Sequence, residues 1–483
     1  MNEILTQLKP EKIVYYFGEI LKIPRPSKKE EKIRAYLVQF GKEQNLETIV
    51  DNTGNVLIRK PATAGMENHK GVILQSHMDM VCEKNRDSKH NFDTDPIEVH
   101  IEDGWLKAKD TTLGADNGIG VAAELAVLSS NDLVHGPLEC LFTVNEETGL
   151  TGAFGLSSDF LKGSILLNLD SEDDGQFFIG CAGGIDTIIQ YPYHPEKVPA
   201  GLLSFKLTIK GLKGGHSGDD INKGLANANK LLDRFLFEYA PNLSLRLSSF
   251  DGGNLRNAIA REAEAIVCIP LSAQATLEQK VKEYEKIVAH EFHTTEANLS
   301  FTCQKEAMPN SVMPQQEQEA IVNALLACPH GVLRMSADIP NFVETSTNLA
   351  AVKTKKDHIL ITTNQRSSVE SAKYGAAHRV AACFKMIGAT VEHSDGYPGW
   401  NPNPNSPVLK IIMSTFKDLF HQDGVALAIH AGLECGLFSE KYPNLDIASF
   451  GPTMRGAHSP DEKLNIETVE RFWKLTTEVL KRI

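Results

Sequence analysis

"LFTVNEETGL", residues 141–150, sets the reading of the whole chain. Leu141 to Val144 is an apolar, strand-like run that ends abruptly in two adjacent carboxylates, Glu146 and Glu147. On a regular strand neighbouring side chains point to opposite faces. Two like charges at the end of a buried segment also repel and lose solvation. The pair therefore needs a local compensating charge and a reason to be there.

The pattern recurs. "GVILQS" (71–76) is a short β-rich run that leads into His77 and, within "HMDMV", Asp79; "SILLNL" (164–169) leads into Asp170. "NGIGVAAELAVLSS" (117–130) predicts a helix with Asp116 as its N-cap. "LETIVDNTGNVLIRK" reads as two strands around a turn. Alternating strands and helices predict an α/β fold, with a mixed, mostly parallel sheet flanked by helices. Ligands of such open sheets bind beyond the carboxyl ends of the strands, where His77, Glu146, Glu147 and Asp170 fall.

The middle of the chain has another character. "LLSFKLTIKGL" and "AEAIVCIPLS" read as strands with one wet face, and "LANANKLLDRFLFEYA" and "LEQKVKEYEKIVAHEF" as amphipathic helices. This α+β pattern predicts an inserted domain over 185–396. The Pro/Gly/Asn-rich "SDGYPGWNPNPNSP" (394–407) leads back to α/β sequence. The first domain is then discontinuous, 1–184 and 397–483. A length of 483 residues is itself too great for one ordinary core.

Bulk composition excludes several function classes. Asp and Glu number 62 against 49 Lys and Arg, a net charge of −13, which argues against nucleic acid or an anionic membrane as partner. No apolar run approaches the roughly 20 residues of a membrane helix, and "MNEILTQLKPEK" lacks a basic-then-apolar signal pattern. Eight cysteines without CxxC spacing read as reduced thiols, which predicts a cytoplasmic protein without zinc-thiolate sites.

His77, Asp79, Asp116, Glu146, Glu147, Asp170 and, far along the chain, His458 in "RGAHSPDE" form a candidate metal constellation. Two imidazoles with several carboxylates suit zinc, with manganese or cobalt as alternatives, and one carboxylate can bridge a pair of ions. Each residue alone has a plainer reading: Asp116 as a cap, His77 as a core histidine, Asp79 and Asp170 as turn residues. Their joint occurrence favours the metal.

"HMDMV", "TTLGADNGIG", "EETG", "GCAGGID", "LKGGHSG", "NLRNAI", "HAGLECGLF" and "AHSPDE" together resemble the bacterial aminoacyl-histidine dipeptidases of the dinuclear-zinc peptidase and aminoacylase family, over nearly the whole chain. The resemblance implies two metal ions, one held by His77 and Asp170, the other by Glu147 and His458, with Asp116 bridging. It implies Glu146 as general base, Asp79 orienting the His77 ring, and a cis bond after Asp116.

It further implies that the inserted domain is a lid and dimerisation domain that closes for catalysis. His216 would stabilise the oxyanion, often across a dimer interface. Asn257 and Arg366 would take the carboxylate of a dipeptide, and Gly432 would let backbone approach the substrate. Without the resemblance, "GLKGGHSGDD" (211–220) is a glycine-rich turn and Arg366 a surface arginine. His430 and Glu434 are either structural or line the leaving-side pocket.

The implied activity is metal-dependent dipeptide hydrolysis, including Xaa-His dipeptides such as carnosine, by a homodimer. An N-acyl amino acid deacylase is the enzymatic alternative. A non-catalytic relative would have lost a ligand or the base, and an acidic scaffold would bind no metal.

Overall fold

Runs of Val, Ile and Leu that are apolar on both faces form the centre of the first sheet, because only a strand covered on both sides can bury every residue. A computed structural model describes residues 4–483. It places β1 (Glu47–Val50), β2 (Val56–Lys60), β3 (Val72–His77), β4 (Leu138–Thr143), β5 (Ile165–Asn168), β6 (Gln176–Cys181), β7 (Val425–Ile429) and β8 (Asp446–Ser449) in one eight-stranded sheet, order β1-β2-β4-β3-β5-β8-β6-β7.

The central pairs β4–β3, β3–β5 and β5–β8 are parallel. The pairs β1–β2, β2–β4 and β8–β6 are antiparallel. This is the mixed, helix-flanked α/β sheet that the alternating pattern predicts. All six residues of β3 and all six of β4 are buried. Each buried Leu, Ile or Phe stabilises the fold by about 1.5–3 kcal/mol.

Register puts His77 opposite Thr143 and Gln75 opposite both Leu141 and Asn168, so the parallel strands end at one edge. The helix α1 (Ala115–Leu128) packs against β3 and is buried along nearly its whole length.

The chain divides into two compact units. The first runs to Gly180 and includes Pro402–Ala428 and Leu433–Ile483; the second is Cys181–Asn401 with Ile429–Gly432. The second unit has its own nine-stranded sheet, whose pairings are all antiparallel. Strand Leu202–Lys210 alternates buried and half-exposed residues along most of its length. Helices Ala228–Tyr239 and Gln274–Glu291 pack their apolar stripes into the same core, through Leu231, Leu232, Phe235, Val281 and Tyr284. Asn227 caps the first of these, accepting from the N–H groups of Asn229 and Lys230.

Among the described residues no helix is long and apolar enough to cross a membrane. Cys82, Cys140, Cys268, Cys303, Cys328 and Cys383 are free thiols.

Candidate metal centre and active site

Asp116 stands at the centre of the first unit's polar cluster. His77 Nε2 lies 3.0 Å from Asp116 Oδ1 and 3.4 Å from Asp170 Oδ1. His458 Nε2 lies 3.2 Å from Asp116 Oδ2 and 3.0 Å from Glu147 Oε2. The ligand atoms of His77, Asp116 and Asp170 fall within 4.8 Å of one another, as do those of Asp116, Glu147 and His458. A third such group joins His77, Glu146 and Glu147. One carboxylate thus offers a different oxygen to each of two imidazoles.

Asp116 is free for this because it is not the helix cap expected of it. Its ψ of 111° and the φ of −103° at Asn117 lie outside the helix, and the bond between them is cis. The Asn117 side chain does the capping, accepting from the N–H of Gly120 at 3.1 Å, and its Nδ2 donates to Asp170 Oδ1 at 2.5 Å. An amide can do both at once because it carries an acceptor and donors.

A turn explains the adjacent glutamates. The strand stops at Thr143, and Asn145 adopts a left-handed φ of 52°, so Glu146 and Glu147 are not on a strand and need not face apart. Asp79 Oδ1 accepts from the Glu146 N–H at 3.0 Å and Asp79 Oδ2 from the Glu147 N–H at 3.3 Å. Ser27 donates to the same carboxylate at 2.7 Å. The His77 ring, which Asp79 was expected to orient, has Nδ1 3.4 Å from Asp79 Oδ1 without a formed hydrogen bond. Asp79 thus holds the backbone of the two glutamates and also faces the His77 ring.

Electrostatics separate the groups. Burial pushes the Glu146 carboxyl well above its usual range, and Asp170 and Glu147 push it further, against the opposing pull of His77. Burial lifts Asp170 to about 6. Burial also opposes ionisation of Asp116, but the hydrogen bonds from His458 and His77 outweigh it and hold the group far below the carboxylate range. His458, bonded to Asp116 and Glu147, is pushed up to about 11.

This field holds positive charge where the ligand atoms converge. Glu147 Oε1 is buried with no partner, an acceptor with nothing to accept from. The donor set, two imidazoles with three carboxylates, is the chemistry that borderline divalent ions take. The residues fit a metal pair.

The second unit gathers another cluster. Arg366 is 5% exposed, and no carboxylate among the described residues pairs with it. Its Nε donates to Asn364 Oδ1 at 3.0 Å and its Nη1 to the Tyr397 hydroxyl at 3.0 Å. A buried guanidinium held only by neutral groups keeps its charge for a ligand. A Cβ on Gly432 would fall 2.7 Å from the Tyr397 ring, so glycine is what allows that approach.

His216 Nδ1 accepts from the N–H groups of Gly218 and Asp219 at 3.3 and 3.2 Å. The same nitrogen lies 3.5 Å from Asp219 Oδ2. The carbonyl of Asn257, whose side chain is exposed, accepts from the Ser217 N–H at 2.8 Å.

His430 bonds Ser346 through Nε2 at 2.7 Å, and burial pushes its pKa down to about 3. Glu434 accepts from Gln75 at 2.7 Å and Thr143 at 2.8 Å, and burial pushes it up to about 8. Both take these partners from inside their own units, while His430 Nδ1 and Glu434 Oε1 are buried without a hydrogen bond. Sequence reasoning passed over Asn117 and Tyr397; Asn117 lay in the quoted "TTLGADNGIG" and was legible only as a neighbour of Asp116.

Residues 73–482 match the peptidase family M20/M25/M40, and the chain belongs to that family. It is similar to the cytosol non-specific dipeptidase of Escherichia coli (strain K12), 46% identical over 479 residues that cover 99% of each chain. It is also similar to the crystal structure of aminoacylhistidine dipeptidase from Vibrio alginolyticus, with a TM-score of 0.93 and 44% identity over 99% of this chain and 98% of that one. Aminopeptidase PepT from Bacillus cereus shares the fold, at a TM-score of 0.63 and 16% identity, over 98% of each chain.

Proposed function

We propose that the protein is a metal-dependent dipeptidase with Glu146 as its general base, acting on dipeptides that include Xaa-His types such as carnosine. The observation that carries the reading is Asp116, which turns one oxygen to His77 and the other to His458. The names of the two full-length relatives support the substrate class.

His77, Asp116 and Asp170 would hold one divalent ion, and Asp116, Glu147 and His458 the other, with zinc the first choice and cobalt or manganese as alternatives. When bound, such a pair polarises the scissile carbonyl and makes a water molecule more acidic. The chain's own residues move the proton. Glu146 takes it from the attacking water and gives it to the leaving amine. A carboxyl raised by burial, as Glu146 is, is suited to both halves of that transfer. Asp79 keeps Glu146 aimed by holding its backbone N–H.

In the second unit, Arg366, with Asn257 beside it in role, would bind the substrate's free carboxylate. The Nε2–H of His216 would donate to the developing oxyanion, and Gly432 would leave room for the chain to approach. We read the assembly as a homodimer through the second unit, and the location as cytoplasmic, in keeping with the name of the Escherichia coli relative.

The test is a count of metal ions on the purified protein, combined with hydrolysis of a dipeptide panel before and after chelation. Ala-His should be cleaved and N-acetyl-His spared; the reverse would mark a deacylase. Chelator-insensitive turnover, or no bound metal, sinks the reading.

A further inference from the structure

Three stretches carry the centre of the cluster: His77 with Asp79, Asp116, and His458. Each bears carboxylates or sits beside them, and their side chains meet at the His77–Asp116 and His458–Asp116 pairs. Two buried residues that take no part in the proposed chemistry touch all three stretches.

Arg25 is 2% exposed. Its Nη1 donates to the carbonyls of Met78 at 3.2 Å and Asp79 at 2.7 Å, and its Nη2 to the carbonyl of Gly114. It thereby ties the strand end that bears His77 to the loop that bears Asp116. The fit is tight, since a Cβ on Gly114 or Gly118 would lie 2.6 Å from Nη2. In return the carbonyl of Arg25 accepts from the Met80 N–H at 3.1 Å.

Glu462 is equally buried, four residues after His458 in the same turn. Its Oε2 accepts from the N–H groups of Leu113 at 2.7 Å and Gly114 at 2.9 Å. Its Oε1 accepts from Ala115 at 2.7 Å and Asp116 at 3.3 Å. One carboxylate satisfies four successive amides, a nest that fixes their directions. The Glu462 N–H returns to Ser459 at 3.0 Å and the Ser459 N–H to Gly456 at 3.2 Å, which closes the turn that carries His458. Burial works against the Arg25 charge, and the Glu462 and Asp79 carboxylates support it.

We propose that Arg25 and Glu462 are positioning residues that form a brace holding the loops of His77, Asp116 and His458 at metal-binding separations before any metal arrives. The brace acts on backbone carbonyls and amides, so it fixes the ligands without competing for the ions. Supporting groups of this kind typically change metal affinity 10–100-fold when removed. The inference rests on the metal-dependent reading above.

The test uses the full chain as wild type, Glu462→Gln and Arg25→Lys. Glutamine keeps one acceptor but turns an NH2 toward amides that need an acceptor; lysine keeps the charge but loses the fork. Each protein is stripped of metal and titrated with Zn2+ against a chromogenic chelator, then with Co2+ to record its visible spectrum. Melting is followed with and without Zn2+.

The brace predicts stripped variants that are folded by circular dichroism and bind about 10-fold or more weakly. It also predicts an altered cobalt spectrum and a smaller metal-induced rise in Tm. Wild-type affinity and spectrum in both variants overturn it. So does a Tm lowered equally with and without metal at unchanged affinity, which assigns the pair to the core alone. If one variant does not fold, the other decides, and failure of both to fold also overturns the metal-specific claim. A wild type that binds no divalent ion would instead sink the dipeptidase reading, so the two failures are distinguishable.

Discussion

The Asp79 carboxylate accepts the backbone N–H of Glu146 at 3.0 Å, so the acid two residues after His77 fixes the backbone of the proposed base. Asp79→Asn loses one acceptor oxygen and the negative charge beside His77. Turnover of Ala-His should fall by about 10–100-fold with most of the metal retained. Kinetics with a parallel metal count check this, and unchanged kcat would remove Asp79 from the active site.

Glu146 and Glu147 should fail in different ways. Glu146→Gln keeps the volume but cannot accept the proton, so kcat should drop about 10²–10⁴-fold at full metal content. Glu147→Ala removes a carboxylate oxygen 3.0 Å from His458 Nε2, so, on the proposed reading, metal per chain should fall. Equal metal content and equal activity in the two variants would refute the division of labour.

Gly432→Ala puts a methyl group 2.7 Å from the Tyr397 ring, and Tyr397 holds Arg366 by its hydroxyl. KM for a dipeptide with a free carboxylate should rise about 10-fold, equivalent to about 1.4 kcal/mol of lost binding. The amidated dipeptide should change little. Equal effects on both substrates would mean that Arg366 does not read the carboxylate.

The second unit should be acid-sensitive through His330. Burial pushes its pKa down to about 4, from 6.5, and its Nδ1 accepts from the Leu349 N–H at 3.3 Å. A depressed folded-state pKa means that the unfolded chain binds the proton first. Its share of stability is complete above pH 6.5 and is lost as pH falls toward about 4. The loss is at most about 1.4 kcal/mol per pH unit. His330→Gln should flatten the dependence of denaturation midpoint on pH in that window, whatever it does to the midpoint itself.

The sequence by itself determined the strands and their ends. Buried β-runs closed by His or acid are a local pattern, and parallel strands carry their ends to one edge. His77, Glu146, Glu147 and Asp170 could therefore be read as neighbours, and the family motifs supplied His458 from far along the chain. The tertiary structure decided how each carboxylate is used. Asp116 left the capping position expected of it because the Asn117 amide could cap in its place. Asp79, which faces the His77 ring, also took the amides of Glu146 and Glu147, and the left-handed turn at Asn145 let two adjacent glutamates serve one cluster. The reason is physical. Periodicity encodes which face of an element is buried, whereas a polar side chain's partner depends on which donors distant segments bring within about 3 Å.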